Sequence, residues 1–441
     1  MKIQVRRGAS VDVDSLVDRN LKDVIRRRLA SRPVVVLTGP RTVGKSTLLR
    51  ACAHLHDVPV IDLDDPSVRR SVEADPTHFA TTPVEPVCFD EFQHVPEILS
   101  AIKAELNRDL RPGRYILTGS TRYSSLPRLG QALTGRAHVM TIWPLSQGEL
   151  RGRRENFLEA LFADPRSLIT PAPSQTSRAD YESMILTGGF PVALGLPEAE
   201  RTAWFKDFVS MVIDRDVLEI RKVRQRQVLP LILRHLAART ASTVKASDIG
   251  AAVGLDQRLV GDYIGLLEAV FLIHRLEAFG RTLGGKVARS PKVHLIDSGL
   301  AAHVLGITRR KLNRRDPAAL TEFGRVVETF AVNELVKQAG WSEEFVEFSH
   351  FRTRDQREVD LVIESHEGDV VGVEVKAKAS IEEKDFQGLR LLRDRLGPNF
   401  VAGVLLNLGQ QSFRHDDRLF VMPLDRLWTR PQEAVAQETG G

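Results

Sequence analysis

Gly39-Pro40-Arg41-Thr42-Val43-Gly44-Lys45-Ser46 is a complete GxxxxGK[ST] string, and the apolar run Val34–Leu37 stands directly in front of it. A helical run begins at Ser46, so the string lies between a buried strand and a helix, the context this motif requires. Gly39 and Gly44 let the loop curl until backbone N–H groups face a bound phosphate. The helix that follows adds the positive end of its dipole. In such a P-loop Lys45 meets the β- and γ-phosphates, the Ser46 hydroxyl ligates Mg2+, and Thr47 lies beside it. Pro40, Arg41, Thr42 and Val43 complete the cradle. ATP with Mg2+ is the expected cofactor pair.

Outward from the loop, short β-rich runs alternate with helical ones: Val34–Leu37, Val58–Leu63, Val87–Phe89, Tyr115–Leu117 and Val139–Trp143. That alternation predicts an α/β unit with a parallel sheet covered by helices. Val87, Cys88 and Phe89 deliver Asp90 and Glu91 to the carboxyl end of a strand, where open α/β sheets bind ligands. Asp90 is expected in the magnesium shell and Glu91 beside the attacking water; a plain acidic strand end is the alternative. Thr118-Gly119-Ser120 ends the next strand, and its hydroxyls either approach the γ-phosphate or form a turn.

Composition sets the wider frame. The chain has 441 residues, long enough for several cores, with 62 Lys plus Arg against 57 Asp plus Glu, a net charge of +5. This balance is compatible with nucleic acid without requiring it. Cys52 and Cys88 are the only cysteines and lack CxxC spacing, which argues against a disulfide scaffold or thiolate zinc site and for a reducing cytoplasm. No apolar run reaches the length of a membrane span, so no membrane association is expected.

Leu37-Thr38-Gly39-Pro40-Arg41, the Asp90-Glu91 strand, Leu117-Thr118-Gly119-Ser120, Leu133-Thr134-Gly135-Arg136 and Trp143-Pro144-Leu145-Ser146 together resemble an AAA-plus family of bacterial and archaeal ATPases. Nearly the whole chain is covered. The resemblance implies an ATPase joined to a C-terminal region of poorly known function with a PD-(D/E)xK, restriction-endonuclease-like fold. It also implies an arginine for the γ-phosphate, in cis or from a second like subunit; Arg136 and Arg122 are the candidates.

Val228–Ala238, Ser247–Val253 and Gln257–Ala269, followed by a ribbon of Phe271–Phe279 and Lys292–Asp297, predict a winged helix-turn-helix. Its third helix is acidic: Arg258 faces Asp256, Asp262 and Glu268, which opposes DNA reading. The wing residues Arg281, Lys286, Arg289 and Lys292 suit a phosphate backbone, so packing and non-specific nucleic-acid contact both stay open.

Glu358–Glu364 and Val370–Ala377 alternate apolar and polar residues around a polar turn. A hairpin centred on Glu367 pairs 359 with 375, 361 with 373 and 363 with 371, matching the apolar faces. Asp360 then opposes Glu374, their Cβ atoms about 5 Å apart, with Lys376 two residues along. Two opposed acids need a divalent cation, Lys376 or solvation. Asp…Glu-x-Lys is also the chemistry of a magnesium nuclease. Glu328 would complete the metal shell, with Gly324 letting its helix approach the sheet.

The predicted organisation is an N-terminal helical segment (1–31), a P-loop ATPase domain (32–150), a helical lid (151–224), a winged helix (225–300), a linker (301–320), a nuclease-like domain (321–430) and a tail (431–441). The expected function is ATP hydrolysis coupled to nucleic acid, DNA favoured, with metal-dependent cleavage; the alternative is an ATP-driven switch whose C-terminal domain only binds. A homo-oligomer is expected.

Overall fold

The computed structural model describes residues 17–122, 133–220, 225–280, 290–353 and 355–430. The first part of the N-terminal segment, the wing residues Arg281, Lys286 and Arg289, and the tail lie outside this set.

Five strands, Val34–Thr38 (β1), Val60–Asp62 (β2), Val87–Asp90 (β3), Tyr115–Gly119 (β4) and Ala137–Thr141 (β5), form one sheet in the order β2-β3-β4-β1-β5. Every pairing is parallel, as the alternation predicted. β1 is buried on both faces, which is why it reads as an unbroken apolar run. Val34 and Val36 pack with Phe89, Leu117, Ile98 and Ile102. Val35 and Leu37 face the other side, with Leu48, Leu49 and Cys52 of the helix Lys45–Leu55. Cys52 and Cys88 are buried and free. The order brings the carboxyl ends of β1, β3 and β4 side by side, and so places Gly39, Asp90 and Ser120 at one edge of the sheet.

Beyond β5 the chain is helical: Phe157–Ala163, Arg178–Thr187, Pro191–Leu194 and Glu198–Met211, which runs into a π-helical turn at Val212–Asp216 and on to Val217–Ile220. Three helices follow, Leu229–Ala238, Ala246–Val253 and Gln257–Ala269, close to their expected positions. The remaining strands are Ser242–Thr243 (β6), Ile273–Ala278 (β7), Lys292–Leu295 (β8), Val346–Arg352 (β9), Glu358–Ser365 (β10), Val370–Lys376 (β11), Phe400–Asn407 (β12), Phe413–Asp416 (β13) and Leu419–Pro423 (β14).

These form a single nine-stranded sheet, β13-β14-β12-β11-β10-β9-β7-β8-β6. The expected separation between ribbon and C-terminal domain is therefore corrected: β7 pairs in parallel with β9, Glu277 opposite Ser349 and Ala278 opposite His350. The expected linker is also folded. Asp297, Thr308 and Asp316 cap helices Ser298–Leu305, Arg309–Asn313 and Pro317–Ala339 through their side chains. A Cβ added at Gly324 would meet Ala377 only at ordinary contact distance, so the approach of its helix does not depend on a missing side chain. Among the described residues, no helix is long and apolar enough to cross a membrane.

The two sheets meet through the loop after β5. Lys337 Nζ donates to Leu145 O (3.0 Å), and Gln147 N donates to Glu334 Oε2 (2.7 Å). Gly148 N donates to Glu155 Oε1 (2.7 Å), and Trp341 Nε1 to Glu155 O (3.2 Å). Glu155 is buried, and this burial, with Glu334 nearby, raises its pKa from 4.5 to about 7. A native pKa above the unfolded value stabilises below pH 4.5, and that contribution is lost as pH rises through about 7. Glu155→Gln should remove about 3 kcal/mol of the stability decline across this window. Urea midpoints at pH 5 and pH 8 test it; an unchanged difference between them would contradict the assignment.

Candidate functional site

The P-loop leaves β1 at Gly39, where a Cβ would collide with the Ile142 carbonyl oxygen, so only glycine fits. Thr42 and Gly44 both have positive φ, and the helix begins at Lys45 with no side chain capping its first turn. Its leading N–H groups are thus available to an anion. Lys45 is buried and folds back to donate to Gly39 O (3.1 Å) and Pro40 O (2.9 Å). Its pKa is lowered, burial being the largest cause, while Glu91 works in the opposite direction from 4.0 Å. A γ-phosphate would add a closer counter-charge than Glu91 provides.

Asp90 ends β3, 2% exposed, and accepts hydrogen bonds from the Thr118 and Ser46 hydroxyls. Its pKa is raised by burial. A buried carboxylate whose charge is disfavoured, linked to the P-loop hydroxyl, fits a divalent cation held by Ser46 and Asp90. Glu91 follows with φ 52°, a left-handed conformation rare for this residue, and its N–H is held by Thr118 Oγ1 at 3.1 Å. Gln93 was not anticipated from the sequence. Its Nε2 donates to Glu91 Oε2 and to Ser120 Oγ (3.2 Å), joining the β3 and β4 ends. Val43 is buried, while Ser46 and Thr47 are half-buried at the start of the helix.

Residues 31–151 match the family model described as an AAA domain. This segment is an AAA-type ATP-binding domain. Residues 178–311 and 323–427 match two families each described as a domain of unknown function. Uncharacterized proteins of Mycobacterium bovis and Mycobacterium tuberculosis are each 23% identical over 407 residues, 92% of this chain and 83% of theirs. Among solved structures, a Walker-type ATPase of Pyrococcus abyssi is similar at 16% identity and TM-score 0.41, covering 66% of this chain and 96% of that one. The RuvB Holliday junction branch migration motor of Thermotoga maritima is similar at 16% identity and TM-score 0.29, covering 58% and 88%. AMPPCP-bound DnaA of Aquifex aeolicus stands at 13% identity and TM-score 0.26, covering 56% and 85%.

The AAA domain is tied to the helical region at its own phosphate loop. Arg41 Nε lies 2.7 and 2.8 Å from the two carboxylate oxygens of Asp216, at the end of the π-helical turn. Neither arginine proposed for the γ-phosphate points at this chain's own P-loop. Arg122 donates to Glu268 O (2.8 Å) and lies over the Phe271 ring, gripping the end of the helix Gln257–Ala269. Arg136 donates to Asn107 Oδ1 (2.6 Å) and Lys103 O (3.3 Å) on the helix Ile98–Arg108.

In the C-terminal sheet the expected register is present from Leu361 opposite Val373 to Glu364 opposite Val370. It does not extend to 359 and 375. β10 bulges against β9 between Val359 and Val362, and Val359 packs instead with Val362, Phe386 and Leu389. The bulge re-aims Asp360, whose Oδ2 accepts from Val375 N at 2.9 Å. Its Oδ1 accepts from Lys292 Nζ at 3.2 Å.

Lys292 corrects two expectations. It is fully buried on β8, so it cannot rest on a phosphate backbone. Its ammonium also lies 2.8 Å from Glu328 and 2.5 Å from Glu358, within the acidic group assigned to a metal. Glu374 pairs instead with Lys376, at 2.6 Å. Asp360 lies close enough to Glu328 and Glu374 to act on both electrostatically, but Lys292 and Lys376 supply their cations, and among the described residues no group of three His, Cys, Asp or Glu is placed to hold a metal ion. Burial opposes the charge on Lys292, yet Glu328, Asp360 and Glu358 hold its pKa well above the usual value. Burial, then Asp360, raises Glu328 strongly, and the same two causes raise Glu374 to about 8. Three carboxylates around one ammonium carry excess negative charge, which burial disfavours.

Lys292→Met should cost about 3–5 kcal/mol at pH 7.5, because buried carboxylates lose their cation. The loss should shrink when Asp360→Asn and Glu358→Gln are added, which remove the stranded charges. Denaturant titration of these variants measures this, and a Lys292→Met variant as stable as the parent would show that Lys292 is not their counter-charge.

Proposed function

We propose that this chain hydrolyses ATP with Mg2+ and passes its nucleotide state through Arg41 and Asp216 to the helical region, the C-terminal domain serving as a binding platform. The observation that carries the hydrolysis reading is the convergence of Lys45, Ser46, Asp90 and Glu91, with Gln93 and Ser120, at one sheet edge. Lys45 binds the terminal phosphates, and the P-loop N–H groups orient them. Ser46 and Asp90 would hold Mg2+, which supplies charge neutralisation on the phosphates when bound. Glu91 orients the attacking water and takes up its proton, while Gln93 fixes the carboxylate for that task.

Arg41 lies in the loop that grips phosphate, and its partner Asp216 is 1% exposed. An anion arriving beside Arg41 competes with Asp216 for the guanidinium, so binding changes the constraint on the π-helical turn. We further propose an assembly of like chains in which Arg136 serves a neighbouring phosphate site, since its hydrogen bonds lead away from its own. Nucleic acid, DNA before RNA, is the proposed partner class, supported by the basic balance of the chain. Metal-dependent cleavage would require Lys292 to leave three carboxylates, and this favours the non-cutting reading.

Lys45→Ala should abolish nucleotide binding. Glu91→Gln should bind ATP as tightly as the parent and turn over roughly 10²–10⁴-fold more slowly. Equilibrium binding with single-turnover hydrolysis separates the two effects. Parent-rate hydrolysis by Glu91→Gln would remove the water-activating role.

A further inference from the structure

Away from the P-loop, the chain leaving the AAA domain at Gly152–Phe157 meets the last described residues, 426–430, around a cavity of about 290 Å³. Four arginines line it: Arg153, Arg154, Arg426 and Arg430. Arg426 is the unusual one. It is only 5% exposed, its Nε is buried without a partner, and among the described residues it makes no hydrogen bond or ion pair. A buried guanidinium without hydrogen bonds bears a desolvation cost that a bound anion would relieve. Burial also lowers its pKa, with Asp425 acting against that shift.

The other lining groups reinforce the positive character. Arg154 uses one amino group on Trp341 O (3.0 Å), and Arg430 Nε reaches Asn156 Oδ1 (3.2 Å), which leaves each guanidinium with further donors. The acid in the lining, Glu155, turns its carboxylate away, to Gly148 N (2.7 Å) and Asn20 Nδ2 (2.9 Å). Phe157 and Trp428 add an apolar wall. The size stands near the lower end of the range for small-molecule sites.

The geometry points to a binding site for a small phosphate-bearing anion, up to about a mononucleotide in size, with Arg426 as its buried anchor. Planar guanidinium groups bind phosphate bidentately and as charge-assisted donors. The phosphate belongs either to a free small molecule or to the 5′ end of a nucleic acid. Because the cavity lies where the AAA domain's exit loop touches the C-terminal residues, a bound anion would brace those segments together.

The test uses the full chain carrying Lys45→Ala, so that the P-loop does not compete for phosphate. Calorimetric titration with inorganic pyrophosphate is expected to show binding that weakens at least tenfold on adding Arg426→Gln. The exposed pair Arg153→Ala with Arg430→Ala should weaken it similarly, which keeps the test decisive if Arg426→Gln does not fold. Absent binding, or equal affinity in the folded variants, would overturn the site. Short DNA strands with and without a 5′-phosphate then identify the source. Arg426-dependent preference for the phosphorylated strand supports a nucleic-acid end; pyrophosphate binding with equal affinity for both strands supports a free small phosphate.

Discussion

The buried ammonium of Lys292 is the constraint on which the C-terminal half depends. It joins β8 to the helix Pro317–Ala339 through Glu328 and to β10 through Glu358 and Asp360. These are three elements distant in sequence, drawn to one charge. Three carboxylates can be gathered here, Asp360 buried and Glu328 and Glu358 partly so, only if a cation or protons offset their repulsion. Here the chain supplies its own cation, from a strand that the pairing of β7 with β9 carries into the same sheet. The acidic group that suggests metal chemistry in the sequence thereby becomes a structural joint.

The AAA domain is built on a different economy of charge. Lys45, Asp90 and Glu91 are all nearly buried, and each is held by neutral hydrogen-bonding groups: loop carbonyls for Lys45, hydroxyls for Asp90, the Gln93 amide for Glu91. Such an arrangement is poised for an anion and a cation from outside, because no internal ion pair fully satisfies it. Arg41 and Asp216 place one end of this site on the helical region. The loop Leu145–Glu155 places the other end of the domain on the helix Pro317–Ala339. A change at the P-loop therefore has two physical routes to the rest of the chain.

The strand–loop–helix geometry of the candidate nucleotide site is largely legible in the sequence because its determinants are local. A glycine string between a strand and a helix, and an acidic pair at a strand end, carry their structural context with them. The five parallel strands followed from apolar runs, and the β10–β11 register followed from the alternation of residues on either side of one turn. What was hidden depends on non-local contact. Nothing near Lys292 identifies Glu328, Glu358 and Asp360 as its partners. The bulge that turns Val359 to the opposite face depends on pairing with β9, not on the hairpin itself. Gln93 is an ordinary glutamine until β4 brings Ser120 beside it, and Arg426 is one arginine among many until its burial is seen.

In the proposed reading an external divalent cation sits in the AAA domain, whereas in the C-terminal domain Lys292 takes a cation's place. Counting bound Mn2+ by electron paramagnetic resonance, with and without a non-hydrolysable ATP analogue, tests this most directly. A single bound ion per chain is expected, one that requires the nucleotide and disappears in Lys45→Ala. A nucleotide-independent Mn2+ ion, lost in Asp360→Asn, would contradict it.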